Sequence, residues 1–372
     1  MKCEIKVISP VHIGSGERYG ASEYLPVTLK NKSGEKIKTF KRIDVSNYYI
    51  GLDKDRQDEF IARLSDPEFS LKDFDKKIPN EYRKYLAIDK CSRKPNVSQE
   101  IEETIKTLNK SYIPGSSIKG AIKTAILYDL FDFDDCDTVS RFINKKRWDF
   151  NRDYNNFMDK FFTSKLRLPS AQKDVMKFLQ VGDTSDAKQI SVHDIYSVMA
   201  AEYGGRKTNI AYRRNKNSKE ATISYYETID AGKLELTINN NYASKVHSNL
   251  KLGNKIDLID IKNIKKSVYM LSRDYIDNEL KFSDEYDIGS LNKFYKIASK
   301  LNTPEKPLLK VGAGSGFSAT TMAMKIQEYD PGLYDQIRKQ KRGYDFCFPK
   351  SRKITKIGGK PLGWIQLDFK GE

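Results

Sequence analysis

The feature that most constrains this fold is a strong helical signal that follows Pro114-Gly115 and lies between segments with strand periodicity. Apolar residues then recur at the spacing of one helix face: Ile118, Ala121, Ile122, Ala125, Ile126 and Leu130. Near the N-terminus, apolar and charged residues alternate over residues 2–7, as in a half-buried strand. Two hairpin signals, 24–29 with 36–40 and 223–229 with 234–238, replace a steady alternation of strand and helix. The sequence therefore predicts an α+β fold.

The chain has 372 residues, which is enough for two domains or one enlarged domain. We predict an N-terminal domain over residues 1–240, interrupted by an insertion of short helices at about 53–110. Within that insertion, residues 101–108 read as one helix. The C-terminal portion, 241–372, is predicted to be largely helical and to contain a glycine-rich loop.

The charge balance favours an anionic partner. There are 66 Lys and Arg residues against 50 Asp and Glu residues, so the formal charge is +16. No apolar run approaches the roughly 20 residues that span a bilayer, and the first residues read as a strand instead of a signal peptide. We therefore expect a cytoplasmic protein with no membrane partner.

Cysteine and histidine give no sign of a metal centre. They are scattered along the chain, without pairs at ligand spacing: Cys3, Cys91, Cys136, Cys347, His12, His193 and His247. We expect ordinary thiols, no metal and no cofactor.

Two basic segments carry aromatic residues. Residues 206–219 hold six basic residues and no acidic one, including Arg206, Arg213 and Arg214, with Tyr203 and Tyr212 interleaved or adjacent. Residues 338–356 hold eight basic residues and one acidic residue. Basic side chains neutralise phosphates and rings stack on bases, so these segments suit single-stranded nucleic acid. A solvated lysine-rich surface is the alternative for either segment alone.

The first candidate binding motif follows the N-terminal strand, at His12 and Gly14-Ser15-Gly16. The glycines let the backbone approach a ligand, and exposed N–H groups there can bind an anion. The alternative is a turn or bulge beside a structural histidine.

The second motif is the start of the predicted helix. Ser116 or Ser117 can cap it, and its first-turn N–H groups attract phosphate. Lys119 and Lys123 are four residues apart and share one face, so they can bind the same phosphate. A capped surface helix with two solvated lysines is the alternative, and the Walker order is absent.

The third motif is a loop with glycines at 312, 314 and 316, between a short predicted strand and a possible helix. Taken alone, the pattern is typical of a Rossmann methyltransferase or dehydrogenase. The residues that remain after Gly316 are too few for the further βα units of a doubly wound fold, so we regard the methyltransferase as a remote alternative.

Catalytic patterns are sparse. Neither a nucleophile elbow nor a His-Glu-x-x-His helix occurs in the sequence. His12 could act as the general base of a ribonuclease, but a lone histidine beside a glycine loop is more often structural or a binding contact. We therefore expect a protein that is not an enzyme, with a metal-independent endoribonuclease as the alternative.

Together and in this order, the motifs resemble the repeat-associated mysterious proteins (RAMPs) of CRISPR systems. The string Ile113-Pro114-Gly115-Ser116-Ser117-Ile118-Lys119-Gly120 is the most specific part of the resemblance. Among RAMPs, the length, residues 178–184 and the late glycine loop are most similar to the family of the fifth Csm subunit of the type III-A effector. The matched motifs cover about a tenth of the chain.

The resemblance implies a ferredoxin-like, RRM-related core with insertions, in which residues 241–372 complete a second RAMP-like half. It also implies a non-catalytic, antiviral RNA-binding subunit that caps the 3′ end of the CRISPR RNA (crRNA) and serves its maturation. The implied partners are crRNA, the other Csm subunits and a host nuclease that trims the RNA. The family's RNA-binding positions fall here on Gly14, Ser15, Gly16, Ser116, Ser117, Lys119, Lys123, Gly312, Gly314 and Gly316, and residues 200–222 take the place of a β-hairpin thumb. RAMP endoribonucleases often use a histidine near the N-terminus, which keeps His12 as the centre of the alternative.

Overall fold

The computed structural model describes residues 1–31, 33–143, 147–215, 220–230, 232–342 and 347–370. The strands are β1 (Lys2–Val7), β2 (Gly14–Tyr19), β3 (Tyr24–Lys30), β4 (Lys36–Ile43), β5 (Arg83–Asp89), β6 (Ile101–Thr104), β7 (Lys106–Thr107), β8 (Lys110–Ser111), β9 (Gln180–Val181), β10 (Ser191–Tyr203), β11 (Arg206–Ala211), β12 (Ile223–Thr228), β13 (Lys233–Asn239), β14 (Leu308–Lys310), β15 (Ser351–Thr355) and β16 (Trp364–Lys370). The α-helices are α1 (Val45–Ile50), α2 (Lys54–Leu64), α3 (Leu71–Phe74), α4 (Gly115–Leu130), α5 (Phe133–Ile143), α6 (Arg147–Phe162), α7 (Ser170–Lys173), α8 (Asn241–Leu250), α9 (Ile261–Glu285), α10 (Gly289–Leu301), α11 (Gly316–Thr320), α12 (Ala323–Tyr329) and α13 (Pro331–Arg342).

A five-stranded sheet has the predicted N-terminal strand at its centre, in the order β14-β16-β1-β13-β9. Every pairing within this sheet is antiparallel. Cys3 and Ile5 are buried, and Ile5 lies opposite Leu234 of β13 and Leu367 of β16. The apolar positions that alternate along β1 are therefore the ones that enter the core.

Helices α4 and α9 pack on this core and on each other. Ile118, Ile122 and Ile126 of α4 are buried in the same cluster as Ile5 of β1 and Val268 of α9. The predicted helix face is confirmed, and the layer of helices on an antiparallel sheet confirms the α+β fold. The ferredoxin-like detail of the core stays a prediction.

A nine-stranded sheet is organised around the long strand β10. Its main order is β2-β6-β12-β10-β5-β4-β3, and β11 and β15 also pair with β10. Along β10, residues 191–196 pair with β12, residues 195–199 with β15 and residues 198–203 with β11. Segments that are distant in sequence therefore meet along one strand.

One of the two predicted hairpins is confirmed and the other is wrong. Strands β3 and β4 pair with each other as expected. Strand β12 instead pairs with β10 and β6, whereas β13 pairs with β1 and β9 in the other sheet. Both segments alternate as strands should, but alternation does not specify the partner strand, so a change of sheet was read as a hairpin.

The insertion at 53–110 is only partly helical. Helices α2 and α3 form within it, and their Phe60 and Phe74 pack with Tyr48 of α1 and Leu25 of β3 in a small separate core. The helix predicted at 101–108 is wrong, because residues 101–104 form β6 between β2 and β12. Pairing with two neighbouring strands overrides the local preference of this glutamate-containing segment for helix.

The predicted boundary at residue 240 stays a prediction, and the five-stranded sheet takes strands from both sides of it. In the part of the chain that the structure describes, no helix is both long enough and apolar enough to span a membrane.

Candidate nucleic-acid interface

Three loops that are far apart in sequence meet at one end of the two sheets. Ala313 donates its backbone N–H to the His12 carbonyl at 2.9 Å, and Gly363 donates to the Pro10 carbonyl at 2.8 Å. A Cβ atom at Gly312 would lie 2.3 Å from the His12 oxygen. Glycine is therefore required at 312 for the backbones to approach, and the first and third sequence motifs form one site.

His12 is held in one tautomer inside this site. It is buried, and its Nδ1 lies 2.7 Å from the backbone oxygen of Glu227. A carbonyl only accepts hydrogen bonds, so Nδ1 carries the proton and Nε2 carries a lone pair. Burial lowers the pKa of His12, which favours the neutral ring. The Nε2 atom lies beside Gly14, 3.3 Å from where a Cβ would be.

Tyr226 connects His12 to the second basic segment. Its ring stacks on His12 with centroids 4.7 Å apart and an interplanar angle of 14°. The Lys353 ammonium donates to the Tyr226 hydroxyl at 2.6 Å and lies 5.1 Å from its ring centroid. An exposed cation, a phenol and a neutral imidazole are thus arranged in a row beside the glycine loop.

The other central cation of this segment is neutralised. Arg352 forms a two-nitrogen ion pair with Glu279, with distances of 2.9 and 2.7 Å from Nε and Nη2 to Oε1. Glu279 is fully buried, and the guanidinium also lies 4.0 Å from the ring centroid of Phe282. Arg352 therefore belongs to an internal ion pair, whereas Lys353 of the same strand and Lys356, just after that strand, are exposed.

The Gly14-Ser15-Gly16 motif begins strand β2 instead of forming a loop. The pairing of β2 with β6 is irregular between Gly14 and Arg18, and Gly16 has a φ of +93°. Ser15 donates its hydroxyl to the Glu103 carbonyl at 3.2 Å. The glycines permit an irregular, exposed strand end directly beside His12.

The start of α4 already has a carboxylate at its N-terminus. The N–H of Gly115 donates to Asp183 Oδ1 at 2.8 Å, and no side chain at the N-cap position, Pro114, caps the helix. The prediction that Ser116 or Ser117 caps the helix is wrong, because both lie within the first turn. Asp183 reaches this turn because a Cβ-free Gly115 packs directly on the backbone of Val181 and Gly182.

The two lysines of α4 differ in their surroundings. Lys123 pairs with Asp174 at 3.0 Å and lies 4.7 Å from the ring centroid of Phe162. Lys119 is half-buried, and burial lowers its pKa. Lys119 thus stays a candidate phosphate contact, while Lys123 has a carboxylate partner within the protein.

The first basic segment forms a hairpin, β10–β11, at the position where the resemblance implies a β-hairpin thumb. Its turn is Gly204-Gly205, with φ values of +56° and +79°, the left-handed geometry of tight hairpin turns. Tyr203 and Tyr212 are 62% and 42% exposed, which leaves their rings accessible for stacking. The exposed arginines of this segment are Arg206, Arg213 and Arg214. Residues 216–219 of this segment and 343–346 of the second lie outside the described residues.

The structure also assigns residues to the site that the sequence did not reveal. Tyr226 and Ser197 lie on β12 and β10, and only the pairing of those strands with each other and with β15 brings them beside the glycine loop. Lys353 belongs to the basic segment 338–356, but nothing in the sequence indicates that Lys353 is exposed while its neighbour Arg352 is paired with a carboxylate. Among the described residues, acidic, cysteine and histidine side chains form no group of three that could hold a metal.

The fold and the glycine loops define a class of protein. The model of the RAMP superfamily matches residues 4–316, and the chain belongs to that superfamily. The glycine loop after β14 is therefore not a Rossmann loop, in keeping with the antiparallel pairing of β14 with β16.

Within that superfamily, the similarity is to Csm5. Over 141 residues the chain is 27% identical to the CRISPR system Cms protein Csm5 of Methanocaldococcus jannaschii, an alignment that covers 36% of this chain and 31% of the relative. The aligned part thus spans about a third of that relative's length.

Solved structures extend the likeness to the whole fold. One is a chain of a Csm–crRNA–target RNA ternary complex of a type III-A CRISPR–Cas system, with a TM-score of 0.69, 22% identity and coverage of 99% of this chain and 100% of that one. Another is the crystal structure of T. onnurineus Csm5, with a TM-score of 0.65, 19% identity and coverage of 97% and 99%.

Proposed function

We propose that the chain is an RNA-binding subunit of a type III-A CRISPR effector that caps the 3′ end of crRNA and serves its maturation without cutting RNA itself. The observation that carries the proposal is the row of His12, Tyr226 and Lys353 beside the glycine loop. A neutral imidazole accepts a hydrogen bond from a ribose hydroxyl, and a lysine neutralises a phosphate. The similarity to Csm5 supports the choice of complex.

The exposed hairpin β10–β11 supports single-stranded RNA as the ligand. Arg206, Arg213 and Arg214 supply positive charge, and Tyr203 and Tyr212 supply accessible rings. This combination binds a strand through its backbone and stacked bases, with little demand on sequence. The partners in this proposal are crRNA and the other Csm subunits, with recruitment of a trimming host nuclease as a further part.

The experiment is a titration of the purified chain against end-labelled crRNA in EDTA at three salt concentrations, with RNA length read from the same samples. We expect binding that weakens steeply with salt and RNA that stays intact. A reconstituted complex with and without the chain then receives a 3′→5′ exonuclease. Protection of the 3′ end only when the chain is present supports capping, and equal digestion in both complexes refutes it.

The geometry of His12 also favours one alternative, a metal-independent endoribonuclease. A neutral histidine with a free Nε2 could remove the proton of a 2′-hydroxyl. This alternative predicts cleavage of precursor RNA in EDTA that disappears in His12→Ala but persists in Lys36→Ala, a change on the distant strand β4. Intact RNA at high enzyme excess rejects it.

A further inference from the structure

A cleft of about 280 Å³ opens beside the glycine loop, between that loop and strands β10 and β15. Its lining includes four serines, one phenylalanine and one exposed lysine: Ser197, Ser315, Ser318, Ser351, Phe317 and Lys353. Ligand pockets for drug-sized molecules begin at about 300 Å³. The cleft is therefore of a size for one small polar unit.

The charge of the cleft suits one phosphodiester. Arg352 also lines it, but Glu279 neutralises that guanidinium, so Lys353 is the lining cation without a carboxylate partner among the described ion pairs. Ser315 has right-handed helical angles, φ −57° and ψ −45°, and Gly316 follows with a φ of +72°. The N–H of Ser315 donates to the Gly312 carbonyl at 3.3 Å. The alternation of angles turns the next two N–H groups, those of Gly316 and Phe317, towards one point, as in an anion-binding nest.

The cleft also offers a fixed aromatic ring. Phe317 packs on Phe348 with ring centroids 5.0 Å apart, and Phe348 is held by the Tyr334 hydroxyl, which donates to its carbonyl at 2.7 Å. A base can stack on such a ring whatever its identity. The Ser315 hydroxyl donates to the Gly312 carbonyl at 2.8 Å and can still accept, while those of Ser197, Ser318 and Ser351 can donate to or accept from the edges of a base.

The cleft is continuous with the basic hairpin. The N–H of Tyr212 donates to the carbonyl of Ser197 at 2.8 Å, and the N–H of Ala200 donates to the carbonyl of Lys350 at 2.8 Å. The wall of the cleft is therefore the base of the hairpin. A strand bound along the hairpin as far as Arg213, the neighbour of Tyr212, would therefore reach the wall of the cleft.

We propose that this cleft is a pocket for one nucleotide of the bound strand, with its base against Phe317 and its phosphate at Lys353 and the N–H groups of the glycine loop. The inference rests on the proposed function, and it adds a single-nucleotide site whose walls are β10 and β15. It predicts that one base leaves the stack of its neighbours when the RNA binds.

The test scans 2-aminopurine through a single-stranded crRNA, one position at a time, because this base fluoresces more strongly when it is unstacked from its neighbours. The full chain is added, and affinity is measured in the same samples by anisotropy. We expect a distinct change in fluorescence at one position and smaller, similar changes elsewhere. Ser351→Trp fills the mouth of the cleft and should abolish the distinct signal. Ser33→Trp, at another exposed serine in the β3–β4 turn, should leave it intact.

A second variant keeps the test valid if Ser351→Trp fails to fold. Phe317→Leu retains apolar volume but removes the stacking surface, so we expect roughly tenfold weaker RNA binding and loss of the distinct signal. Tight binding with uniform signals at all positions overturns the pocket and leaves the proposed function standing. Absence of RNA binding at every salt concentration overturns the proposed function, and the pocket with it.

Discussion

The substitution Gly312→Ala tests whether the glycine loop and the His12 loop form one unit. The new Cβ would lie 2.3 Å from the His12 oxygen and 2.5 Å from Cδ1 of Ile13, on a backbone with a φ of +69°. A left-handed φ costs an L-residue about 1–2 kcal/mol. Separation of the loops would also lose the hydrogen bond from Ala313 to His12, a net loss of about 1 kcal/mol. We expect the free energy of unfolding to fall by about 2–3 kcal/mol.

Gly316→Ala is the matched control in the same loop. Its φ is +72°, close to that of Gly312, but no atom lies within 4 Å of the position of its Cβ. This variant therefore carries the conformational cost without the close approach, about 1–2 kcal/mol. The difference between the two variants isolates the contact between the loops.

The assay is urea unfolding followed by far-ultraviolet circular dichroism, with the slope and midpoint compared across the wild type and both variants. A lower midpoint in Gly312→Ala than in Gly316→Ala, at equal slopes, supports the reasoning. Equal midpoints for the two variants would show that the loops do not approach as closely as we infer.

Three further predictions concern lysines, two of them at the candidate site and one in the core. Lys353→Gln should lower RNA affinity and reduce the slope of log affinity against log salt concentration by about one, whereas Lys36→Gln on β4 should change neither. The measurement is an anisotropy titration at three salt concentrations. An unchanged slope in Lys353→Gln would contradict the site. Lys119→Ala should reduce the salt slope by a similar amount. Lys123→Ala should leave RNA affinity within about twofold of the wild type, because Asp174 already pairs with Lys123. An equal loss of affinity in both variants would contradict this distinction. Lys310 is buried against Trp364, and burial lowers its pKa to about 7 from 10.5. Between pH 7 and 10.5 the unfolded chain therefore binds more protons than the folded chain. The wild type loses stability as the pH falls through this range, and below pH 7 Lys310 causes no further loss. Lys310→Met should remove the pH dependence of stability in that range. At pH 7 we expect a gain of about 3 kcal/mol, because the lowered pKa costs about 5 kcal/mol and the variant loses about 2 kcal/mol with the hydrogen bond from Lys310 Nζ to the Leu362 carbonyl. Urea midpoints at pH 7, 8.5 and 10 that run parallel to those of the wild type would refute this.

Local sequence patterns predicted the helices and strands whose secondary structure does not depend on which segment they pack against. Helix α4 forms where the spacing of Ile118, Ile122 and Ile126 places it, because one apolar face is enough to direct a helix to the core. Strand β1 was predicted from the alternation of apolar and charged residues, and the β3–β4 hairpin from two strand-like segments close together in the chain. Strand β6 was missed because its short, glutamate-containing segment becomes a strand only between β2 and β12.

The site was predicted in its parts but not as a whole. Glycine at 312 was predicted to belong to a binding loop, yet the group it approaches, the His12 carbonyl, lies 300 residues earlier in the chain. The prediction that Ser116 or Ser117 caps α4 was wrong for a related reason. Asp183, from a distant segment of the chain, accepts the hydrogen bond of the Gly115 N–H instead. A short sequence window contains no information about which distant carboxylate will be near.

By itself, the sequence determined the α+β character and the basic and aromatic segments, since each depends on residues close together in the chain. It also determined the RAMP resemblance, which depends on the order of short motifs. Only the tertiary structure decided that β12 and β13 belong to different sheets, that Arg352 is neutralised and that Lys353 joins Tyr226 and His12. Those outcomes depend on which strands pair with β10, and that pairing is set by the burial of both sheets at once rather than by any single segment.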